Sequence, residues 1–250
     1  MSKLKTGWYS QRVGCDVGVA RWGDVGAPVL LFPTAGGDAE EIERFHVIDA
    51  LGPLLEAGRV KIYSCDSVAG RAMLTEEGSP QHRMWMQNQF EQFVYHELVP
   101  LIRNDCRSED IGILTAGSSI GAFNALAVLA RFPDAFTRAL CLSGTYDLDR
   151  FLRASAVGAT GDWYFSSPLH FIPGLSGDPL ERLRSRFVLL ASGEGEAEDI
   201  GESWRMADVL GAKGIPNRVD SWGRDWRHDW VTWRKMFPQY LTELTAPKAP

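Results

Sequence analysis

Two adjacent serines stand between two glycines in the stretch ILTAGSSIGAFNALAVLARFP, Ile113 to Pro133. Gly117, Ser119 and Gly121 have the spacing G-x-S-x-G, which occurs once in the chain. That spacing suits a serine nucleophile. The hydroxyl would sit on a sharp turn between a buried strand and a helix, exposed at the strand's C-terminal edge, with glycines two residues either side to keep strand and helix from colliding. The flanks fit: Ile111, Ile113 and Leu114 supply a strand, and Ala122, Phe123, Ala125, Leu126, Val128 and Leu129 supply a helix that Pro133 helps to end. Only Ser119 has glycine at both the −2 and +2 positions, so Ser119 rather than Ser118 is the candidate nucleophile.

A serine hydroxyl is a poor nucleophile at neutral pH until a histidine accepts its proton, and that imidazole needs a carboxylate to fix its tautomer. Five histidines are available, His46, His82, His96, His170 and His228. His46 and His96 fall inside helical patterns, His82 stands at a helix start, and His170 lies in an aromatic segment where it could touch substrate. His228 alone follows the last strand-like run and precedes the final helix, in DSWGRDWRHDWVTWRKMF, and is the expected general base. In chain order the acid comes between serine and histidine, after the run Phe187–Ser192. Glu194, Glu196, Glu198 and Asp199 crowd that loop in ASGEGEAEDIGES. Glu198 is the expected acid and Glu196 the alternate. An oxyanion hole needs backbone N–H donors near the nucleophile. The donors expected are Ile120 and Ala35, the latter in the FPTAGG loop, whose small residues let backbone approach a ligand.

Elements must bring these loops together. Short apolar runs alternate with longer amphipathic ones, the pattern of a mainly parallel sheet, of about eight strands, with helices on both faces. The runs Val29–Pro33, Val60–Cys65, Ile111–Ala116, Arg138–Ser143, Phe187–Ser192 and Arg218–Trp222 predict strands. Helices are expected over Ala39–Glu56, Arg83–Asn104, Gly121–Phe132, Glu202–Lys213 and Trp230–Thr245, and an antiparallel hairpin over Trp8–Val13 and Val17–Trp22. The stretch Ala154–Asp178 reads as a lid-like excursion, because an unstructured loop would leave Trp163, Tyr164, Phe165 and Phe171 in water.

The remaining properties narrow the function. A chain of 250 residues with 45% hydrophobic content fits a single domain spanning residues 1–250. A net charge of −6 without a block of Lys or Arg argues against nucleic acid and anionic membrane as partners. A neutral or mildly polar small molecule is the expected partner, and self-association into a homo-oligomer stays open. The first residues, MSKLKTGWYSQRVG, carry no apolar signal core, and no later run has the length of a membrane span, so a cytoplasmic protein is expected. Cys15, Cys65, Cys106 and Cys141 are dispersed, without C-x-x-C spacing or nearby paired histidines, which predicts no zinc site and no disulfide framework; no metal and no cofactor are expected. Four of the 9 tryptophans, Trp222, Trp226, Trp230 and Trp233, gather near the C-terminus, as pocket wall or as core.

The segments LLFPTAGGDAEE, GSSIGAFNALAVLARFPDAFTRALCLSGTYDL and WGRDWRHDWVTWRKMFPQYL resemble the esterase branch of the α/β-hydrolase superfamily. That branch includes esterase D-like, feruloyl esterase-like and depolymerase-like serine esterases. The likeness runs from about Val29 to Leu241, and SSIGA and HDWVTW are its most specific parts. It implies an α/β-hydrolase fold, a metal-free Ser-His-acid mechanism through an acyl-enzyme, and carboxylic ester substrates. Ser119 takes the nucleophile's place and His228 the base's. Many relatives carry aspartate as the acid, and alignment through GEGEAED selects either Glu198 or Glu196. PTAGG replaces the commoner His-Gly of the first loop. An acyltransferase with the same triad, or a non-catalytic binding module on the same fold, are the alternatives.

Overall fold

The computed structural model describes residues 2–152 and 161–246. Among them, eight strands form one sheet: β1 Lys3–Ser10, β2 Cys15–Trp22, β3 Ala27–Phe32, β4 Val60–Cys65, β5 Ile113–Ser118, β6 Phe136–Leu142, β7 Phe187–Ser192 and β8 Asn217–Ser221. Their order is β1-β2-β4-β3-β5-β6-β7-β8. The hairpin β1–β2 joins β4 antiparallel, and every other pairing is parallel. The expected α/β-hydrolase architecture is thus present.

The central strands are near-continuous apolar runs because both of their faces are covered. Side chains alternate between two cores with the period of two that a strand imposes. Leu30 and Phe32, Tyr63 and Cys65, Ala139 and Cys141, and Val188 and Leu190 face one core, which the helix Ile120–Arg131 covers with Ala122, Leu126 and Leu129. Val29 and Leu31, Val60 and Ile62, Leu140 and Leu142, and Leu189 and Ala191 face the other, covered by the helix Trp230–Leu244 with Trp233, Met236, Phe237 and Leu241.

Four expected elements differ in detail. The hairpin strands begin earlier, with Ser10 paired to Cys15 across a turn that ends at Gly14. The single helix expected over Ala39–Glu56 is three short ones, Glu41–Arg44, Val47–Ala50 and Gly52–Glu56. His46, at φ 61°, ends the first, and Pro53 opens the third without an N–H to continue the second. The helix expected from Arg83 starts at Pro80, capped by Ser79, whose Oγ accepts the His82 N–H. It runs to Asp105 through a π-helical turn, Val94–Leu98, just before Pro100. A helix over Val68–Leu74 was not expected. Of the excursion, residues 154–160 lie outside the described ones. The remainder forms short helices that bury Trp163 and Phe171, with Phe165 exposed.

Between the helix Pro80–Phe93 and the helix Ile120–Arg131 lies a fully buried carboxylate, Glu91. It accepts from Gln87 at 3.0 Å and from Arg131 at 2.9 Å. Burial pushes its pKa up from the ordinary 4.5 to about 7 even against the attraction of Arg131. A folded value above the unfolded one means that the unfolded chain ionises first. Stability from this group is therefore complete below about pH 4.5 and declines as pH rises through about 7. Urea titrations of wild type and Glu91→Gln over that range should show the variant gaining relative stability with pH; a constant difference would contradict the buried, proton-retaining carboxyl.

Candidate active site

Sheet order puts the candidate residues at one edge. The chain leaves β3 toward β4 on one side, and leaves β5 toward β6 on the other. Loops after β3 and β5 therefore diverge and open a crevice at the C-terminal ends of these strands, the usual ligand site of an open α/β sheet. The FPTAGG loop follows β3 and Ser119 follows β5.

Ser119 holds φ 57° and ψ −124°, a conformation that L-residues rarely adopt. It is held there by its backbone: its N–H donates to Leu142 O at 3.0 Å, and its carbonyl accepts from Ala122 at 3.1 Å. The flanking glycines are required by contact. A Cβ on Gly117 would lie 2.2 Å from Gly121 O, and one on Gly121 would lie 2.6 Å from Pro33 O and 2.7 Å from Phe32 O. The helix after the serine thus touches the backbone of the FPTAGG loop directly. Ser118 is buried at 2% exposure, and Ser119 is only half-buried.

The FPTAGG loop is clamped from three sides. Thr34 to Gly37 is a tight turn closed by Gly37 N–H to Thr34 O at 3.1 Å. Glu41 accepts from the Thr34 N–H at 2.7 Å and the Thr34 hydroxyl at 2.8 Å. Burial pushes the Glu41 carboxyl above its usual range, and the Thr34 hydrogen bonds pull it back down. From the helix Val68–Leu74, Gly70 packs so closely that a Cβ would lie 2.7 Å from Ala35 O. Among the described residues, neither the Ala35 nor the Ile120 N–H has a hydrogen-bond partner.

The loops after β7 and β8 are fastened to each other. Glu194 N–H donates to Gly223 O at 2.9 Å, Gly195 N–H to Trp226 O at 2.9 Å, and His228 N–H to Glu196 O at 3.0 Å. Gly193 and Gly195 allow this, since a Cβ on either would meet Trp226 O at 2.1 or 2.5 Å. Ala197, at φ 62°, turns the chain between the two candidate acids. Glu198 points inward with 1% of its side chain exposed, and its Oε2 lies 3.3 Å from His228 Nδ1. Glu196 points outward, 75% exposed, and pairs with Arg227 at 3.0 Å. Asp199 caps the helix Ile200–Ala212, and Glu194 accepts from Ser221.

Three residues around Glu198 were not anticipated. Ser143 Oγ donates to Glu198 Oε1 at 2.5 Å, Ser192 Oγ approaches Oε2 at 3.1 Å, and Trp233 Nε1 donates to Ser143 Oγ at 2.9 Å. The only sequence signal for either serine is its place at a strand end. Among the described residues, Ser119 Oγ makes no hydrogen bond to His228. The two are connected through backbone: the β6–helix loop that carries Ser143 also sends the Thr145 N–H to Ser119 O at 3.4 Å. Elsewhere, His46 pairs with Asp49, His82 with Glu77, His96 packs on Tyr95, and His170 on Trp163.

A family described as "Putative esterase" matches residues 54–244. The chain belongs to this esterase family. It is a carboxylic ester hydrolase. No curated protein matches the sequence. Among solved structures, the esterase resembles a ferulic acid esterase at 20% identity and TM-score 0.73, covering 98% of both chains. An S-formylglutathione hydrolase from Agrobacterium tumefaciens matches at 12% identity and TM-score 0.72, over 97% of this chain and 94% of the other. A fluorophosphonate-binding serine hydrolase from Staphylococcus aureus matches at 12% and 0.67, over 98% and 99%. At these identities the likeness is one of fold. No helix among the described residues of the esterase is long and apolar enough to cross a membrane.

The backbone contact of Gly121 with Phe32 and Pro33 yields a stability test. Gly121→Ala should cost about 1–3 kcal/mol through overpacking, read as a lower urea midpoint. An unchanged midpoint would mean that the helix and the FPTAGG loop do not touch as described.

Proposed function

We propose that the esterase cleaves carboxylic esters with Ser119 as nucleophile, His228 as general base and acid, and Glu198 as the carboxylate that orients His228. The observation that carries this reading is the inward, buried Glu198 facing His228 Nδ1, beside a serine held on a strained turn at the same sheet edge.

A carboxylate at Nδ1 keeps the proton on that nitrogen and leaves Nε2 free to accept another. His228 takes the Ser119 proton as Oγ attacks the ester carbonyl carbon, and the carbonyl electron pair moves onto oxygen. The N–H groups of Ile120 and Ala35 receive that oxyanion. Their lack of protein partners and the clamped turn at Ala35 support the assignment, since preorganised donors need no reorganisation as charge develops. Collapse of the tetrahedral intermediate breaks the bond to the alcohol oxygen, which leaves with the proton from His228 and an acylated Ser119 behind. Water then attacks the acyl carbon, giving its proton to His228, and the acid departs as that proton returns to Ser119 Oγ.

Separate from the two main cores, Met73, Met84, Ile120, Phe123 and Trp163 form an apolar cluster that includes the residue after the nucleophile and reaches Ala35. Leu74 lies exposed against Gly36. The buried cluster holds the start of the helix Ile120–Arg131 in place, and the exposed Leu74 supports an apolar group on the substrate beside the oxyanion donors. The described part of the excursion contributes Trp163 to that buried cluster, stacked 6.1 Å from Phe123.

Two measurements test the assignment. Ser119→Ala should lower p-nitrophenyl ester hydrolysis by at least about 10⁴-fold and abolish fluorophosphonate labelling while the fold is retained; a labelled, active variant would sink it. Glu198→Gln should cost about 10³- to 10⁴-fold in kcat, and Glu196→Gln, on an exposed ion pair, should stay within about twofold. The reverse ranking would move the role to Glu196.

A further inference from the structure

We infer that Ser143 and Trp233 are positioning residues that set the orientation and charge distribution of Glu198, and through it the basicity of His228. The inference rests on the triad reading above. Its basis is one directed chain of hydrogen bonds: Trp233 Nε1–H to Ser143 Oγ at 2.9 Å, then Ser143 Oγ–H to Glu198 Oε1 at 2.5 Å. On the other carboxylate oxygen, Oε2, lies His228 Nδ1 at 3.3 Å.

The direction of that chain follows from the groups. An indole N–H can only donate, so it occupies a lone pair of the Ser143 oxygen. The single Ser143 proton is then left for the carboxylate, and a hydrogen bond to an ionised acceptor is short and strong. Ser143 is 3% exposed and Trp233 is 3% exposed, so water does not compete for either group. Trp233 also touches the base itself, its ring edge-on to His228 with centroids 5.1 Å apart. One tryptophan therefore contacts His228 directly and reaches Glu198 through Ser143.

The backbone at Ser143 supports a role for its hydroxyl. Its φ is 46°, a left-handed conformation that glycine adopts at lower cost. The position keeps a side chain in spite of that strain, and the side chain's one polar atom makes both bonds. Ser143 is also tied to the acid strand by its own N–H, which donates to Ala191 O at 2.7 Å.

Removing the Ser143 proton leaves more negative charge on Glu198. That charge stabilises protonated His228, so the acidic limb of the kcat/KM profile should move to higher pH. The other charged groups nearby are the exposed Glu196–Arg227 pair and Asp229, whose carboxylate caps the final helix through the Thr232 N–H; these variants leave all three in place.

Ser143→Gly suits the backbone and removes the hydroxyl, and Ser143→Ala repeats the loss with the backbone cost unchanged. Both should lower kcat by about 10- to 100-fold, leave KM within about twofold, and shift the acidic limb upward. Trp233→Phe keeps a ring beside His228 and removes only the donor; it should shift the limb in the same direction by less. In the Ser143→Gly background, Trp233→Phe should shift it no further. Rates are normalised to the fraction of enzyme titrated by a fluorophosphonate, which removes any loss from misfolding. Wild-type kcat and an unmoved profile in Ser143→Gly, or independent shifts that add in the double variant, would overturn the positioning role. An active Ser119→Ala or Glu198→Gln enzyme would overturn the triad instead.

Discussion

A carboxylate with 1% of its side chain exposed must find in the protein the hydrogen bonds it gives up in water. Left unmet, such a charge costs several kcal/mol or is neutralised by a proton. Glu198 meets this demand with groups from three elements: Ser143 at the end of β6, Ser192 at the end of β7, and His228 after β8. Those partners are within reach because two loops are bound together along their backbones, and because Gly193 and Gly195 let one chain lie against the carbonyl of Trp226. Each contact is a condition of the others. A loop displaced by an ångström would lose the hydrogen bonds that make burial of the charge tolerable.

The serine side of the crevice is built by the same device, backbone against backbone. Gly117 and Gly121 bring the helix Ile120–Arg131 onto β5 and the carbonyls of Phe32 and Pro33, and Gly70 brings a second helix onto Ala35. Side chains at these positions would force the FPTAGG loop outward and separate the two N–H groups proposed to receive the oxyanion. Reversal of the strand order at β3 and β5 supplies the crevice. The glycines fix its width.

Much of this was legible in the sequence, for reasons that differ from residue to residue. The inner parallel strands could be read because both faces are buried, which leaves unbroken apolar runs such as VLLF and FVLLAS, whereas the edge strand β8, NRVDS, is only half-buried. Gly117, Ser119 and Gly121 could be read because a steric requirement at fixed spacing leaves a fixed pattern. GEGEAED could not be resolved into an inward and an outward glutamate, since the choice depends on the left-handed turn at Ala197, which sends Glu198 inward and leaves Glu196 in solvent beside Arg227. Ser143 and Ser192 carried only the signal of a strand end, and Trp233, though one of the gathered tryptophans and part of HDWVTW, carried nothing that ties it to Glu198. Their meaning comes from β6 and β7 being neighbours. The break in the helix expected over Ala39–Glu56 leaves no mark in the sequence, because His46 adopts a positive φ without being glycine.

The strained residues follow a pattern of their own. Of the non-glycine residues at positive φ among the described ones, Ser119, Ser143 and Ala197 all stand on loops at the C-terminal ends of β5, β6 and β7. Each such conformation costs an L-residue roughly 1–2 kcal/mol, and none of the three is imposed by the sheet itself. What holds them is the rigid platform below: strands buried on both faces between two cores, and loops whose hydrogen bonds close only in this arrangement. The strain then has a geometric return. Ser119 lifts its side chain off the strand end, Ser143 turns its hydroxyl to Glu198, and Ala197 separates Glu196 in solvent from Glu198 in the interior. A relaxed backbone at any of the three would point the adjoining polar group elsewhere, so the cost of the conformation and the aim of the side chain are the same fact.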